Sequence, residues 1–380
     1  VTTFRVVDLK GEMMGNAAQK LWSLVSQQVA DVAALVATPL APAHYLELVR
    51  PLASTRTRYA RVESVHYETM DTRTITLRPG RGWFKHRAGQ YVSIGVPVKG
   101  RITTRTYSVS SAPERDDGCI TITVKLVRNG KASGALFRDV KPGDHLAIGQ
   151  PEGDFTLPEI PVEPLLFVTA GSGITPIMSM LRSFSIRNEM PDVIHVHYAP
   201  TARDVIFAGE LARLAAEHPS YQPIFITTRE GRGPNRFDRK WLDTRVPDWM
   251  SREAFACGPE KLLNAIEACF EARNAIGQLH VERFRPKLAV VDANAKGGFV
   301  RFGLSKKDVD ASARTSLLEA AESVGVQAPH GCRIGICHSC DATMKSGCVR
   351  DLRTGEMISE AGARIQLCVC AAAGDVEIDV

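Results

Sequence analysis

Three cysteines crowd into nine residues near one end of this 380-residue chain, Cys332-Arg-Ile-Gly-Ile-Cys337-His-Ser-Cys340, and Cys368 follows after 27 intervening residues. A C-x4-C-x2-C…C spacing suits the ligand set of a [2Fe–2S] cluster. One tight loop must then aim three thiolates at two irons, and Gly331 and Gly335 let backbone N–H groups come close without a Cβ in the way. Four thiolates also suit zinc, but zinc ribbons usually pair short C-x2-C knuckles. Six of the nine cysteines fall in the last 49 residues. An odd total, clustered at one end, reads as reduced thiols around a metal site rather than a disulfide framework, and so points to the cytoplasm.

The rest of the chain supplies an ordinary globular setting. Hydrophobic residues make up 44% and charged residues 23%, which excludes wholesale disorder and coiled-coil or collagen-like architecture. A net charge of +5 is too weak to argue for nucleic acid, and none is expected as a partner. No run approaches the eighteen or so apolar residues of a membrane span. Residues 1–11 lack the basic-then-apolar pattern of a secretory signal.

Patterning divides the chain. Leu21, Leu24, Val25, Val29, Val32 and Val36 recur at helical spacing and predict an amphipathic helix packed on the body of the protein. From Thr55 to about Leu157, short alternating runs such as Arg73–Leu77, Gln90–Val96 and Cys119–Val127 end at turn residues, which predicts a small antiparallel barrel. From Pro161 to Phe284, apolar runs at Leu165–Val168, Val193–Val196, Ile224–Ile226 and Ala254–Ala256 alternate with helical stretches at Pro176–Phe184 and Glu260–Arg273. That alternation predicts a doubly wound parallel sheet. The fold class expected is thus multidomain, α+β and α/β together.

The run Leu165-Leu-Phe-Val-Thr-Ala-Gly171-Ser-Gly173-Ile-Thr175-Pro176 reads as a buried strand, a glycine turn and a helix, with Thr175 as N-cap and Pro176 at the first helical position. Such a helix start offers N–H groups to a pyrophosphate, though a plain strand-to-helix turn would look the same. Arg105-Thr106-Tyr107-Ser108, Gly130-Lys-Ala132-Ser133, Thr227-Thr228-Arg229-Glu230, Cys257-Gly258-Pro259 and His280-Val-Glu282-Arg-Phe284 complete an ordered set. Over residues 54–285 this set resembles the ferredoxin–NADP reductase family of flavoproteins, and residues 299–380 resemble plant-type ferredoxins.

The resemblance implies an FAD-binding barrel over 54–158, an NAD(P)-binding domain over 159–285, a linker over 286–298 and a β-grasp ferredoxin domain over 299–380, after a helical lead-in over 1–53. It implies that Arg105 neutralises the flavin phosphate and Tyr107 packs on the flavin with Thr106 beside it. Ser108 and Cys257 would form the hydride-transfer environment. Gly130, Ala132 and Ser133 would hold the FAD diphosphate, while FMN remains the lesser alternative. Gly171, Gly173 and Pro176 would seat the NADPH pyrophosphate, Thr228 and Arg229 its 2′-phosphate, and Cys257-Gly258-Pro259 would lie under the nicotinamide. Phe284 stands where plant members end on a flavin-stacking Tyr. Cys332, Cys337, Cys340 and Cys368 would ligate the cluster, with Cys370 the substitute for Cys368 and Cys348 a packing residue.

The implied activity is electron transfer from NADPH through flavin and [2Fe–2S] to a separate acceptor. Val36-Ala-Thr-Pro-Leu40, Tyr45–Pro51 and Gly82-Trp83 with His86–Gln90 most resemble reductases that serve membrane-bound acyl-CoA desaturases, which act on stearoyl-CoA in unsaturated fatty acid synthesis. That acceptor implies peripheral contact with the cytoplasmic face of a membrane. Reductases of Rieske-type aromatic-ring hydroxylating oxygenases share the architecture, and a redox-sensing module is the non-enzymatic alternative. Residues 299–380 carry a net −2 against +7 for residues 1–298, opposite signs that favour docking of one unit on the other.

Overall fold

A computed structural model describes residues 52, 58–98, 101–158, 164–230, 236–284, 289, 292, 294–335 and 338–380. The expected lead-in helix, six of the thirteen linker residues and Cys337 lie outside the described residues.

The first unit is β1 (Tyr59–Thr69), β2 (Thr72–Pro79), β3 (Tyr91–Val98), β4 (Arg101–Ser108), β5 (Ile120–Lys125) and β6 (His145–Ile148), with α1 (Lys131–Arg138) after β5. The antiparallel order is β4-β3-β6-β1-β2-β5. Its two edges meet through the Val109–Ile122 bridge and the Ser110 N–H on the Thr121 carbonyl at 2.8 Å, so the sheet rolls into a barrel. Alternation supplies the reason: Val62, Ile75, Leu77, Val92, Ile94 and Ile122 turn inward to one core. Arg73, buried among them, donates to the Leu136 and Val140 carbonyls (2.8 Å to Val140), satisfying the end of α1.

The second unit is a fully parallel sheet of β7 (Leu165–Ala170), β8 (Val193–Ala199), β9 (Tyr221–Thr227), β10 (Glu253–Cys257) and β11 (Leu279–Glu282), ordered β11-β10-β7-β8-β9. Its helices are α2 (Ile174–Arg187), α3 (Ala208–Glu217), α4 (Arg239–Arg245) and α5 (Glu260–Glu271). β8 is buried along its whole length, as expected for a strand covered on both faces. One face packs on α2 and α3 through Phe167, Phe255 and Phe184, the other on Trp249 and Phe270. Asn188, left-handed at φ 54°, ends α2.

The third unit holds β12 (Gly298–Phe302), β13 (Lys307–Ala311), α6 (Leu317–Ser323), β14 (Asp341–Asp351), β15 (Met357–Ile358), β16 (Arg364–Gln366) and β17 (Cys370–Ile378). The order β13-β12-β17-β14-β15, with β12 and β17 parallel and β16 on β14, wraps one helix as a β-grasp. A capping box starts α6: Ser316 Oγ accepts from the Glu319 N–H at 3.2 Å, and the Glu319 carboxylate accepts from the Ser316 N–H. Between its α6 and β14 runs the cysteine loop. Among the described residues no helix is long and apolar enough to cross a membrane.

Candidate functional site

The turn after β4 fixes where the barrel and the parallel sheet meet. Ser179 Oγ donates to the Ser111 carbonyl at 2.6 Å, Arg182 Nη1 to the Ser110 carbonyl at 2.7 Å, and Ser183 Oγ to Glu114 at 2.8 Å. These three donors sit on one face of α2, at the three- and four-residue steps from Ser179 that a helix face allows. Arg182 is also gripped by Glu210 of α3 at 2.5 and 2.9 Å. The buried His86 ring reaches the Ser111 carbonyl at 3.0 Å, and burial lowers its pKa.

Along this seam opens a cavity of 590 Å³. Tyr91, Thr106, Tyr107 and Ser108 form its barrel wall, His280, Glu282 and Phe284 its sheet wall, and Ile334 of the cysteine loop closes a third side. Tyr107 is largely enclosed, and desolvation pushes its phenol up to about 12. Ser108 Oγ is buried without a hydrogen bond of ordinary geometry among the described residues, although it lies close enough to the Glu282 carboxyl to favour its ionised form. A buried hydroxyl left unsatisfied beside aromatic walls is what the polar edge of a flavin ring would complete.

Glu282 is the residue that motif reading quoted without giving it work. β10 and β11 run in register with Cys257 opposite Glu282, so both side chains point to the same face. Cys257 is fully buried and its thiol donates to Glu282 Oε2 at 3.8 Å. Desolvation pushes Glu282 up to about 8 against the opposing pull of Cys257 and Ser108, and burial with the Glu282 charge drives Cys257 well up. Only a parallel pairing across 25 residues brings them together, which no local pattern announces. On the same face His280 stacks on Phe255, ring centroids 4.5 Å apart, and pairs with Glu253.

The candidate phosphate seats lie at either side. Gly130 starts α1, with Asn129 left-handed at φ 61°, and a Cβ on Gly130 would meet the Ser133 hydroxyl and Val127. Ser133 Oγ accepts from the Val127 N–H at 3.2 Å, and Ala132 is buried beside it. On the sheet, Gly171-Ser172-Gly173 form a 3-10 turn and α2 begins at Ile174. This corrects the expected cap: Gly173 takes that position, Thr175 and Pro176 are the second and third helical residues, and the Thr175 hydroxyl donates to the Ser172 carbonyl at 2.9 Å. The tight turn moved the helix start. Gly173 has no room for a side chain, because a Cβ would run into the Cys257 carbonyl, and Gly258 packs on Ala170. Cys257-Gly258-Pro259 and the α2 start therefore share one end of the sheet. Thr228 and Arg229 sit just past β9, their N–H groups on the Ala199 and Pro200 carbonyls at 2.8 and 2.9 Å, with Arg229 exposed.

In the third unit Cys340 Sγ lies 3.3 Å from Cys368 Sγ, and Cys332 is buried nearby with the Ile334 N–H on its sulfur at 3.4 Å. Cys340 raises the Cys368 pKa, with burial and Cys332 adding to it, while the Gly335 N–H lowers it. Cys370 points instead into the sheet core, where desolvation pushes it up to about 12. So Cys368, not the substitute Cys370, meets Cys340. Among the described residues no three His, Cys, Asp or Glu groups converge on one point. A [2Fe–2S] cluster does not ask for that, since its two irons take four thiolates. A close Cys340–Cys368 pair, with Cys332 beside amide donors, fits one. Gly335 is left-handed at φ 78°, and a Cβ there would strike Arg353 and Val369. Arg353 Nη1 donates to the Gly335 carbonyl at 3.0 Å while Asp351 holds its other nitrogens.

Three family models cover the three units in order: an oxidoreductase FAD-binding domain over residues 60–157, an oxidoreductase NAD-binding domain over 167–268 and a 2Fe-2S iron-sulfur cluster binding domain over 304–373. An NADPH oxidoreductase of Mycobacterium tuberculosis is 46% identical over 92% of this chain and 91% of its own. The chain belongs to the ferredoxin–NADP reductase-type flavoproteins with a C-terminal [2Fe–2S] domain. It is an oxidoreductase that uses FAD, NAD(P)H and a [2Fe–2S] cluster. A glycine betaine monooxygenase reductase subunit of Pseudomonas aeruginosa is 29% identical over 84% of this chain and 94% of its own. The structure of phthalate dioxygenase reductase superposes with a TM-score of 0.61 over 85% of this chain and 97% of that one, at 22% identity, and so shares its fold.

Proposed function

We propose that this reductase takes electrons from NADPH and delivers them singly to a membrane-bound acyl-CoA desaturase. Bound flavin and [2Fe–2S] would supply the redox chemistry, a two-electron hydride acceptance from the nicotinamide and release of those electrons one at a time, which belongs to the cofactors. The protein positions them. One observation carries the reading: a single cavity takes a wall from the barrel, a wall from the nucleotide sheet and a wall from the cysteine loop. In it Tyr107 and Phe284 flank the flavin ring and Ser108 meets its polar edge. Arg105 and the start of α1 hold its phosphates, and Cys257-Gly258-Pro259 support the nicotinamide. Cys332, Cys337, Cys340 and Cys368 ligate the cluster. Arg229 selects NADPH, since a guanidinium binds phosphate bidentately and never loses its charge.

The desaturase reading draws on the lead-in residues, while the 46% identity to a relative named as an NADPH oxidoreductase supports NADPH as the donor. Purified protein, NADPH, stearoyl-CoA and membranes holding the desaturase should yield the unsaturated product; cluster reduction without desaturation would sink that acceptor. A monooxygenase acceptor is the second reading, favoured by relatives named as monooxygenase reductase components at 28–29% identity. Reduction of a purified Rieske-type oxygenase, with none of the desaturase, would select it.

A further inference from the structure

Ile334 belongs to the cysteine loop by sequence and to the flavin cavity by position. It lines the cavity together with Thr106, Tyr107 and Phe284, while its backbone N–H donates to Cys332 Sγ at 3.4 Å. Among the described residues it is the one cavity-lining residue drawn from the third unit. Its neighbour Arg333 is left-handed at φ 63°, a conformation a non-glycine side chain adopts only when held. Glu322 of α6 and the His330 ring hold it, with Arg333 Nη1 on Glu322 at 2.9 Å and Nη2 3.0 Å from His330 Nε2. The same loop stands close to the flavin-phosphate candidate: after burial, the Arg333 charge is the largest influence lowering the Arg105 pKa, with Glu322 and Cys332 opposing it. The anchored residue therefore points its successor into the cavity.

We infer that Ile334 is the bridging position between the two redox centres, its side chain sealing the cavity wall against water and setting the spacing from flavin to cluster while its amide steadies the Cys332 sulfur. The inference deepens the function proposed above and rests on its electron order. In each event one electron leaves the reduced flavin and one enters the cluster, taking it from two ferric ions to one ferric and one ferrous. Between two such events the cluster passes its electron to the acceptor protein and returns to two ferric ions. Two events thus remove the pair that one hydride brought from NADPH, and the flavin releases its protons to solvent. Arg333 and Glu322 act through Ile334 as positioning residues.

The test compares Ile334→Ala and Ile334→Leu with the wild type, all as full chains loaded with flavin and cluster. Each is mixed anaerobically with NADPH while flavin absorbance and the cluster's electron paramagnetic resonance signal are followed separately. Ile334→Ala should lower the ratio of cluster reduction to flavin reduction severalfold, because the emptied position admits water and loosens the spacing between the two centres. Ile334→Leu, which refills the volume, should recover most of it. The cluster midpoint potential, from an equilibrium titration, should stay at the wild-type value in Ile334→Ala, because the N–H on Cys332 is kept. An unchanged ratio in Ile334→Ala, or a ratio that falls only because the potential has moved, would overturn the inference. A wild type whose flavin is bleached by NADPH while its cluster stays oxidised would overturn the electron order beneath it, and is told apart because no variant is needed to see it.

Discussion

Where the barrel meets the nucleotide sheet, α2 sets Ser179, Arg182 and Ser183 onto the carbonyls and carboxylate of the 110–114 turn, with Phe155 of the barrel side packed edge-on against Phe255 of β10 at 5.5 Å. Where the barrel meets the ferredoxin unit, the described contacts come from the cysteine loop and the end of α6, with Ile334 in the cavity, Arg333 near Arg105 and Glu322 facing Lys131. The first seam buries polar partners that are costly to separate. The second brings together side chains of a loop braced from its own unit. Hydride transfer needs two rings held in one geometry; an electron needs only nearness. The two seams differ as those two demands do.

The widest separation should come from the cluster side. Cys340→Ser removes half of the close thiol pair and should abolish the cluster's visible bands and its bound iron, while NADPH still bleaches the flavin. Absorbance and iron analysis check both. Joint loss of flavin and cluster would mean the seams are not independent. Next in size, Arg229→Ala should weaken NADPH by about ten- to a hundredfold, taking about 1.5–3 kcal/mol for hydrogen bonds to a charged group, and leave NADH nearly unaltered. Steady-state kinetics with both nucleotides decide it.

Much of this site was legible because its signals are local. Period-two alternation located β2 and β3, buried apolar runs located β7, β8 and β10, and cysteine spacing located the cluster loop. What escaped depends on pairing across long stretches of chain. Glu282 meets Cys257 only because β11 lies beside β10 in a fixed register. Arg182 looks like a solvated helix charge until the barrel turn arrives over it. The cap of α2 shifted from Thr175 to Gly173 because a 3-10 turn precedes the helix, a backbone choice that residue types leave open.

Glu282 offers a third probe, on the hydride seam. A carboxyl raised from the usual range to about 8 holds its proton more tightly folded than unfolded. The unfolded chain therefore binds fewer protons between about pH 4.5 and 8, and stability falls as pH rises through that window. Cys257, driven higher still, would add its own change only above it. Urea unfolding across pH should show the decline in the wild type and a flatter profile in Glu282→Gln; parallel profiles would show that the carboxyl is ionised throughout.

The smallest effects compare the seams directly. Arg182→Ala leaves the Ser110 carbonyl without its donor and Glu210 with only the longer Arg213 contact at 4.0 Å, in a half-buried place, at about 1–3 kcal/mol. Its Phe207 contact, guanidinium to ring centroid at 4.9 Å, goes as well. Glu322→Gln breaks the Arg333 pair, whose carboxylate is 38% exposed, so it should cost about 0–1 kcal/mol. Thermal unfolding of the two variants side by side should show a clear loss for the first and little for the second. The second should nevertheless slow cluster reduction relative to flavin reduction, because Arg333 no longer holds the loop that presents Ile334. Equal destabilisation by both would mean that the ferredoxin unit is welded on as firmly as the nucleotide sheet, and that the electron crosses a rigid interface instead of a braced loop.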